Sequence, residues 1–353
     1  MSRCAIITGI SGQDGSYLTE LLLGKDYYIF GLVRRTSSDT CREKIAHLEN
    51  NPNIKLIYGD LTDISSIQNI LSQATRHSAF IQSTNHMEIY NLAAQSHVKV
   101  SFETPIYTAN SDALGTLNIL ESIRQLETDV QTRIKFYQAS TSEMFGSSSA
   151  PQNETTPFHP CSPYGVAKLY AHWITINYRE SYKLWACSGI LFNHESERRC
   201  KNFVTRKITC GVANYVKNKT NYKPLQLGNI EAIRDWGYSP DYVYGMWLIM
   251  QQETPKEYVL ATGTSYTIRE FIELAYKNVD VTIVWKGSAE HEKGYNSANG
   301  DLLVEISPKY YRPSEVNNLQ GDPSAAANEL GWKPSISFEE MVTRMVKYDV
   351  KNV

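Results

Sequence analysis

The stretch Gly9-Ile-Ser-Gly-Gln-Asp-Gly15 follows the apolar run Ala5-Ile-Ile-Thr8 and opens an amphipathic segment. A glycine-rich turn between a first strand and a first helix brings backbone N–H groups and the helix N-terminus close to a bound pyrophosphate. The spacing is G-x-x-G-x-x-G and not the common G-x-G-x-x-G, so the glycines alone would equally fit a tight turn without a ligand. Their position after the first strand favours a dinucleotide-binding turn.

Through the first half of the chain, short β-branched and aromatic runs alternate with longer amphipathic runs. The pattern predicts strands at Cys4–Ile10, Tyr27–Val33, Ile54–Tyr58, Ile89–Ala94, Ile134–Ala139 and Lys183–Phe192. It predicts helices at Ser16–Leu23, Ser65–Leu71, Asp112–Gln125 and Tyr164–Tyr182. Because the strand runs are continuously apolar, they fit a parallel sheet covered on both faces. The predicted fold class is α/β, a doubly wound parallel sheet of the Rossmann type with a smaller C-terminal substrate-binding α/β domain.

A chain of 353 residues suggests one large unit or two domains that share an interface. We expect residues 1–192 to form the dinucleotide-binding domain, completed by part of 228–262, and residues 193–227 and 263–353 to bind the substrate. Two segments are expected to form loops, namely 74–87 and the Gly/Lys/Asn-rich region 286–300.

Composition excludes several classes of function. The chain has 35 Lys and Arg against 37 Asp and Glu, a net charge of −2, so no overall field gathers nucleic acid or an anionic membrane. The six cysteines are scattered without a Cys-x-x-Cys pair, so neither a metal site nor a disulfide framework is indicated. The absence of a long apolar run predicts a cytoplasmic protein with no membrane partner.

The end of the second strand run predicts which dinucleotide binds. An acidic residue at this position would bind the ribose 2′-hydroxyl of NAD. Here the sequence is Val33-Arg34-Arg35-Thr36-Ser37, which has no acid. Two guanidinium groups and two hydroxyls suit a 2′-phosphate, because Arg binds phosphate through parallel charge-assisted hydrogen bonds. The predicted cofactor is NADP, although a solvated charged loop is the alternative interpretation.

Tyr164 and Lys168 are four residues apart and lie on one face of a predicted helix. A nearby cation lowers the pKa of a tyrosine, so such a pair supplies a general base. The chain has 23 tyrosines, so the pair alone means little. Ser140, Thr141 and Glu143 follow the preceding strand, however, at the sheet edge where ligands bind in open α/β folds. Together these residues predict a catalytic site near the nicotinamide.

These motifs occur in order with YGDLTD, NLAAQSHV, YQASTSEMFG, SPYGVAKLYAHW, GILFNHESERR, RDWG, YYRP and LGWKP. On them the sequence resembles the extended short-chain dehydrogenase/reductase family over nearly its whole length, and within it the dehydratases that act on GDP-mannose. The resemblance implies Thr141, Glu143 and Tyr164 as catalytic residues and Lys168 as the residue that tunes the tyrosine.

The resemblance also implies binding residues. For NADP these are Gly9, Ser11, Gly12, Gln13, Asp14, Gly15, Arg34, Arg35, Thr36, Ser37, Asp60, Leu61, Leu92, Ala93, Ala94, Gln95, Ser96, Tyr107, Lys168, His194 and Arg199. For the GDP-sugar they are Ser96, Asn193, Asn202, Lys207, Arg234 and Arg312. A buried arginine paired with an acid is the alternative role for Arg234 and Arg312. The chain departs from the family pattern at Glu197, Cys200 and Lys201.

The reaction that the resemblance implies is an internal oxidation and reduction that removes water from GDP-mannose, through bound NADP, to give a 4-keto-6-deoxy sugar. Rival interpretations are an epimerase or 4-keto reductase on the same fold, which needs Tyr164 and Lys168 but not Glu143, and a non-catalytic NADP sensor. The family implies a homodimer through Asp112–Gln125 and Tyr164–Tyr182, or a tetramer through the loop after Val33.

Overall fold

A computed structural model of the chain describes residues 3–35, 42–219, 221–311, 316 and 318–352. Its strands are β1 (Arg3–Thr8), β2 (Tyr27–Val33), β3 (Ile54–Tyr58), β4 (Met87–Asn91), β5 (Ile134–Thr141), β6 (Trp185–Leu191), β7 (Asn193–Glu195), β8 (Leu225–Leu227), β9 (Ile233–Tyr238), β10 (Tyr258–Leu260), β11 (Ser265–Thr267), β12 (Ile283–Lys286), β13 (Lys293–Asn296), β14 (Leu302–Ile306) and β15 (Asn318–Leu319).

The α-helices are α1 (Gln13–Leu23), α2 (Ile64–Thr75), α3 (Ser78–Ile81), α4 (Val98–Glu103), α5 (Pro105–Thr108), α6 (Gly115–Arg124), α7 (Thr128–Gln131), α8 (Pro163–Tyr182), α9 (Val204–Lys217), α10 (Ser239–Met250), α11 (Ile268–Lys277), α12 (Ser324–Leu330) and α13 (Phe338–Asn352). A π-helical segment, Ala109–Leu114, joins α5 to α6. Short 3-10 helices cover Ala46–Leu48, Ser142–Met144, Ala289–His291 and Pro308–Tyr310.

Seven strands form one parallel sheet in the order β10-β6-β5-β4-β1-β2-β3. The order runs outward in both directions from β1, so β1 and β4 lie at the point where the winding reverses. In open α/β sheets, ligands bind beyond the carboxyl ends of the strands at this point. The prediction of a doubly wound parallel sheet is confirmed.

The central strands of the sheet are buried on both faces, and most of their side chains are apolar. Ile6 and Ile7 are adjacent in β1, and they belong to two different hydrophobic clusters. The cluster around Ile6 includes Leu120 of α6, whereas the cluster around Ile7 includes Leu18 of α1 and Met246 of α10. Alternate side chains of a strand point to opposite faces, so each strand contributes to both layers of helices.

The two segments expected to be loops contain regular structure. Residues 74–87 include α3, where Phe80 is buried in the same hydrophobic cluster as Ile6. Residues 286–300 include β13 and the end of β12. Both expectations were wrong because tertiary packing and strand pairing order these short polar segments, which carry little periodic signal of their own.

The second half of the chain forms two four-stranded sheets. In one, β9 pairs with β11, β15 and β7, and the other has the order β12-β13-β14-β8. The chain also returns to the large sheet, since β10 pairs with β6 and Trp332 packs in the same cluster as α10. The domain boundaries at residues 192 and 263 stay a prediction. Trp332 belongs by sequence to the predicted substrate-binding domain, but its side chain packs in a hydrophobic cluster of the nucleotide-binding domain.

A buried ion pair joins α9 to α13. Arg206 donates to Asp349 through Nη2 at 2.7 Å and through Nε at 3.0 Å. Thr209 also donates to Asp349, at 2.6 Å, and both charged side chains are at most 5% exposed. Because burial of an unpaired charge is costly, each partner depends on the other.

Replacing Asp349 with Ala should therefore lower the free energy of unfolding by about 3–5 kcal/mol, since it leaves the Arg206 guanidinium buried without its counter-charge. Urea unfolding followed by circular dichroism measures the loss. The control is Arg344→Ala, which breaks an exposed ion pair with Glu340 and should cost about 0.5 kcal/mol or less. A similar small loss in both variants would contradict the importance of the buried pair.

Candidate active site

The turn from β1 to α1 requires glycine at two positions for steric reasons. Gly9 has a φ of +67°, and a Cβ there would lie 2.9 Å from Cα of Ala93. A Cβ on Gly15 would lie 2.3 Å from the carbonyl oxygen of Gly9. A side chain at Gly9 would therefore push the turn away from the end of β4, and a side chain at Gly15 would push the turn away from α1.

Gly12 lies on the side of the same turn that faces the predicted ligand. A Cβ there would contact only the carbonyl oxygen of Gly9, at 3.1 Å, so the space in front of the helix stays open. Gly12 is the N-cap of α1, and the first turn of hydrogen bonds closes from Ser16 N–H to the Gly12 carbonyl oxygen. The N–H groups of residues 13–15 lie at the positive end of the helix. This arrangement fits the pyrophosphate of a dinucleotide.

Asp14 would repel a phosphate in this position if its charge were not balanced. Its carboxylate lies 2.9 Å from Nε2 of His194 and accepts hydrogen bonds from Gln13 and Ser239. Burial raises the pKa of Asp14, but the His194 charge and these hydrogen bonds outweigh it, so the pKa is lowered. Burial lowers the pKa of His194, but the charge and hydrogen bond of Asp14 outweigh burial. The pKa of His194 is therefore raised. The pair therefore joins α1 to β7 as an ion pair.

The predicted 2′-phosphate residues stand at the end of β2. Arg34 and Arg35 are exposed; Arg34 donates to the hydroxyl of Tyr107, another predicted NADP contact, and Arg35 lies 5.9 Å from the ring centre of Tyr58. Thr36 and Ser37 lie outside the described residues. The two guanidinium groups lie on the protein surface at the end of β2.

Other predicted NADP residues lie at the carboxyl ends of β3 and β4. The backbone N–H groups of Leu92 and Ala93 both donate to the hydroxyl of Thr8, at 3.1 Å, which ties this segment to the glycine turn. Asp60 accepts a local hydrogen bond from Thr62, so its carboxylate is already engaged. The rest of the set continues these segments, with Leu61 buried, Ala94 and Gln95 half-buried and Ser96 exposed.

The predicted catalytic residues come together where β5 ends and α8 begins. Ser162 caps α8 by accepting from Gly165 N–H at 3.0 Å, which fixes the first helical turn and with it Tyr164. Thr141, the last residue of β5, has its hydroxyl near the Tyr164 phenol and lowers the pKa of that phenol. Lys168, one turn further along α8, donates to the carbonyl oxygen of Ala139 at 3.1 Å. The end of β5 and the start of α8 thus determine where Thr141 and Lys168 lie relative to Tyr164.

The tyrosine is neutral in this environment. Burial raises its pKa, Asp112 and Glu143 raise it further, and the Thr141 hydrogen bond and Arg199 oppose them only in part. Burial also lowers the pKa of Lys168. A positive charge close to the phenol is therefore required before Tyr164 can act as a base near neutral pH.

Glu143 and Ser140 have different surroundings. Glu143 lies in the 3-10 helix after β5, is 7% exposed, and donates its backbone N–H to Thr141 at 3.3 Å. It therefore stands next to the Thr141–Tyr164 contact. Ser140 Oγ lies 3.2 Å from Nδ1 of His172, a full helical turn beyond Lys168. Thr141, and not Ser140, is therefore the hydroxyl that affects the pKa of the tyrosine.

The predicted GDP-sugar residues occupy several elements. Asn193 lies in β7, and its buried amide oxygen has no hydrogen-bond partner among the described residues, which leaves an acceptor for a ligand. Asn202 is exposed, and its carbonyl oxygen is 3.4 Å from Nε2 of His97. Arg234 is buried in β9 and donates to the Ile233 carbonyl oxygen at 2.8 Å. Arg312 lies outside the described residues.

Lys207 belongs to a cluster of cations around Tyr310. Its Nζ is 3.5 Å from the ring centre of Tyr310, and that of Lys99 is 5.3 Å from it. Burial and the charges of Lys99 and Lys309 lower the pKa of Lys207 to about 8. Mutual repulsion of this kind favours the binding of an anion, such as a diphosphate, among the three amines.

Two charged groups of the site were missed by the sequence analysis. Asp112 is buried in the π-helical segment, which packs against α8. Glu195, in β7, lies 3.1 Å from Nε of Arg199 and accepts from Thr205 at 2.6 Å. An acid at the start of an otherwise apolar helical run was a visible signal for Asp112. The contacts of Glu195 depend on tertiary structure and had no signal in the sequence.

The departures from the family pattern have identifiable positions. Glu197 accepts hydrogen bonds from Tyr17 of α1 and Tyr238 of β9, so it joins the two halves of the fold. Cys200 and Lys201 are exposed. Across the described residues, no cluster of three or more His, Cys, Asp or Glu side chains could hold a metal ion, and no helix is long and apolar enough to cross a membrane.

The family model for GDP-mannose 4,6 dehydratase matches residues 6–345. This chain belongs to that family. It is 50% identical to GDP-mannose 4,6 dehydratase of Drosophila melanogaster, with 99% of this chain and 86% of the relative aligned. It is 49% identical to the Vibrio cholerae enzyme of that name, over 99% and 95% of the two chains, and 48% identical to the human one, over 98% and 91%.

Solved structures share the fold at low sequence identity. The dTDP-glucose 4,6-dehydratase of Bacillus anthracis, in complex with NAD, has a TM-score of 0.78 and 20% identity, over 99% of this chain and 97% of the other. UDP-glucose 4-epimerase of Thermotoga maritima, with UDP-glucose, has a TM-score of 0.79 and 22% identity, over 99% of each chain. At this identity the likeness establishes the extended Rossmann-type fold, which dehydratases and epimerases share.

Replacing His194 with Gln should destabilise the protein in a pH-dependent way. The Asp14–His194 pair stabilises the fold fully between the unfolded pKa values of about 3.9 and about 6.5, and the histidine's contribution is lost as the pH rises through its raised folded pKa. The loss of unfolding free energy, measured in urea, should thus be larger at about pH 5.5 than at about pH 9. His47→Gln, at an exposed pair with Glu20, is the control. An equal loss at both pH values would contradict the ion pair.

Proposed function

We propose that this chain converts GDP-mannose to GDP-4-keto-6-deoxymannose and water, with NADP as a cofactor that is regenerated in each turnover. The observation that carries the proposal is the buried acid Glu143, whose backbone N–H donates to Thr141 and whose charge acts on Tyr164. An oxidation alone needs the tyrosine and the lysine. The removal of water needs one further group that first accepts a proton and then donates it.

Tyr164 starts the reaction as the base that takes the proton of the sugar 4-hydroxyl. Thr141 hydrogen-bonds the phenol and steadies the oxygen on which charge develops. The cationic Lys168 keeps a positive charge near the phenolate and thereby favours it. Reversible hydride transfer, from carbon 4 of the sugar and back to carbon 6, is the chemistry that the bound nicotinamide supplies.

Glu143 acts on the ketone formed at carbon 4. The ketone acidifies the hydrogen at carbon 5, and the Glu143 carboxylate removes it as a proton. The carboxylic acid then donates this proton to the carbon 6 hydroxyl, which leaves as water. The proton held by Tyr164 is available for carbon 5 when carbon 6 is reduced, so the sugar loses one water and no net hydride.

The choice of NADP over NAD is supported by Arg34 and Arg35 at the end of β2, where an acid would favour NAD. The diphosphate of the sugar nucleotide is assigned to the cations around Tyr310 and to Arg234, with Asn193 supplying an unpaired acceptor. The anionic substrate thus binds where this chain concentrates buried and half-buried positive charge.

A homodimer through α6 and α8 fits the exposed apolar side chains on these elements. Val166 is 55% exposed and Trp173 is 54% exposed on α8, and Leu114 is 45% exposed at the start of α6. Large apolar side chains grouped on neighbouring helices indicate a surface that a second copy would cover. This assembly is part of the proposal.

The variant Glu143→Gln tests the proposed function. We expect oxidation at carbon 4 to persist, visible as NADPH absorbance under single-turnover conditions, while water loss falls by about a hundredfold or more because no proton acceptor remains. Mass spectrometry of the sugar nucleotide measures the dehydration. Glu127→Gln, which changes an exposed acid before α7, is the control and should keep wild-type rates. Dehydration at the wild-type rate in Glu143→Gln would contradict the role of Glu143.

The double variant Arg34→Ala/Arg35→Ala tests the cofactor. Loss of charge-assisted hydrogen bonds to a 2′-phosphate, at about 1.5–3 kcal/mol each, should weaken NADP⁺ binding by about tenfold or more. NAD⁺ has no 2′-phosphate, so its binding should change little. Isothermal titration calorimetry with both dinucleotides measures the effect, with Arg344→Ala as a control. Equal weakening for both dinucleotides would contradict recognition of the 2′-phosphate.

A further inference from the structure

Tyr58 is an exposed aromatic residue at the carboxyl end of the edge strand β3. Its side chain is 56% exposed. In the parallel pairing of β2 with β3, it lies opposite Val33, the last residue of β2 and the neighbour of Arg34. In dinucleotide-binding folds the end of this strand recognises the 2′-position of the adenosine ribose. Tyr58 therefore stands beside the predicted site of the 2′-phosphate.

Two arginine side chains lie close to the ring of Tyr58. Cζ of Arg42 is 4.9 Å from the ring centre, and Cζ of Arg35 is 5.9 Å from it. A guanidinium at this distance from an aromatic ring is attracted by it. Arg42 also donates to the Tyr58 hydroxyl, which directs its guanidinium toward that end of the ring. One tyrosine thus brings together a predicted cofactor residue and an arginine of the following segment.

The positive charge of this cluster is only partly balanced. Arginine stays protonated in proteins, so Arg35 and Arg42 contribute two positive charges. Among the described residues, the one acid in ion-pair contact with them is Glu49, whose Oε1 lies 3.7 Å from Nη1 of Arg42. This distance is too long for a hydrogen bond, and solvent screens the pair because both side chains are partly exposed. An anion that binds between the two guanidinium groups would be attracted by both.

The donors of the cluster suit a phosphate monoester. Each guanidinium can bind phosphate oxygens through parallel charge-assisted hydrogen bonds. The Tyr58 hydroxyl accepts from Arg42, and its own proton can be donated to a phosphate oxygen. The phosphate monoester expected at the end of β2 is the 2′-phosphate of NADP. NAD has a hydroxyl in its place and offers no negative charge to this cluster.

We propose that Arg42 is a specificity-determining residue that binds the 2′-phosphate of NADP together with Arg35, and that Tyr58 positions Arg42 for this contact. The proposal rests on the proposed function for the identity of the cofactor. It extends recognition of the 2′-phosphate from the end of β2 to the end of β3 and to the segment that leads to β3.

The variant Arg42→Ala tests this assignment through binding alone. We expect the Kd for NADP⁺ to rise about tenfold or more, which is the loss of one charge-assisted contact, while the Kd for NAD⁺ changes by less than about twofold. Isothermal titration calorimetry measures both on the full chain. Lys55→Ala removes an exposed positive charge from the opposite face of β3 and is the matched control. It should leave both Kd values in place.

The comparison with NAD⁺ also excludes a general loss of structure. Unchanged NAD⁺ binding shows that the dinucleotide site of Arg42→Ala is folded, so a loss confined to NADP⁺ comes from the 2′-phosphate. Equal weakening of both dinucleotides, or no change for either, would overturn the proposal.

Two smaller ligands locate the effect on the 2′-phosphate. Adenosine 2′,5′-bisphosphate carries this group, adenosine 5′-monophosphate lacks it, and neither contains the nicotinamide. Arg42→Ala should weaken binding of the bisphosphate by about the same factor as binding of NADP⁺ and leave the monophosphate unaffected. A loss seen only with the complete dinucleotide would place the contact of Arg42 elsewhere and overturn the assignment.

The variant Tyr58→Phe tests the positioning role, because it keeps the ring and removes the hydroxyl. The Kd for NADP⁺ should rise about threefold or more, again without an effect on NAD⁺. When Tyr58→Phe is added to Arg42→Ala, the further loss should be small, since both changes act on one contact. Fully additive losses would show that Tyr58 does not act through Arg42.

These binding results separate the assignment of Arg42 from the proposed reaction. A wild type that responds to Arg42→Ala as expected but does not dehydrate GDP-mannose would count against the proposed function alone. A wild type that dehydrates GDP-mannose, with a Kd for NADP⁺ that Arg42→Ala leaves unchanged, would overturn the assignment of Arg42 alone.

Discussion

The structure depends most on the contact between the end of β5 and the first turn of α8. The Lys168 ammonium donates to the carbonyl oxygen of Ala139, and the Thr141 hydroxyl lies near the Tyr164 phenol. Both contacts require the strand and the helix to keep one relative position, because a hydrogen bond weakens steeply when its partners shift. Burial makes that position costly for the lysine.

The halves of the chain are joined at points that also border the site. Asp14, at the start of α1, pairs with His194 in β7, and Glu197 receives hydrogen bonds from α1 and from β9. The chain then returns to the large sheet with β10. Cofactor and sugar nucleotide would thus bind to a surface whose two sides are held together by side chains, so their relative position follows from the fold.

Much of this architecture was predictable from the sequence. The six strand runs of the first half were recognisable because strands buried on both faces are mostly apolar. The order of motifs located the glycine turn and the Tyr164–Lys168 pair. The Asp14–His194 contact joins residues 180 positions apart, which no local pattern reveals. The π-helical turn at Asp112 arises from packing against α8. Likewise β13 has only four residues, one of them a glycine, a short and weak signal that resembled a loop.

The central claim is that one molecule of sugar is both oxidised and reduced. Incubating the protein and catalytic NADP⁺ with GDP-mannose that carries deuterium at carbon 4, without added reductant, tests it most directly. Mass spectrometry and NMR of the product follow the label. The account predicts the loss of one water and deuterium retained at carbon 6. A sugar nucleotide of unchanged mass, or a dehydrated product without deuterium at carbon 6, would contradict it.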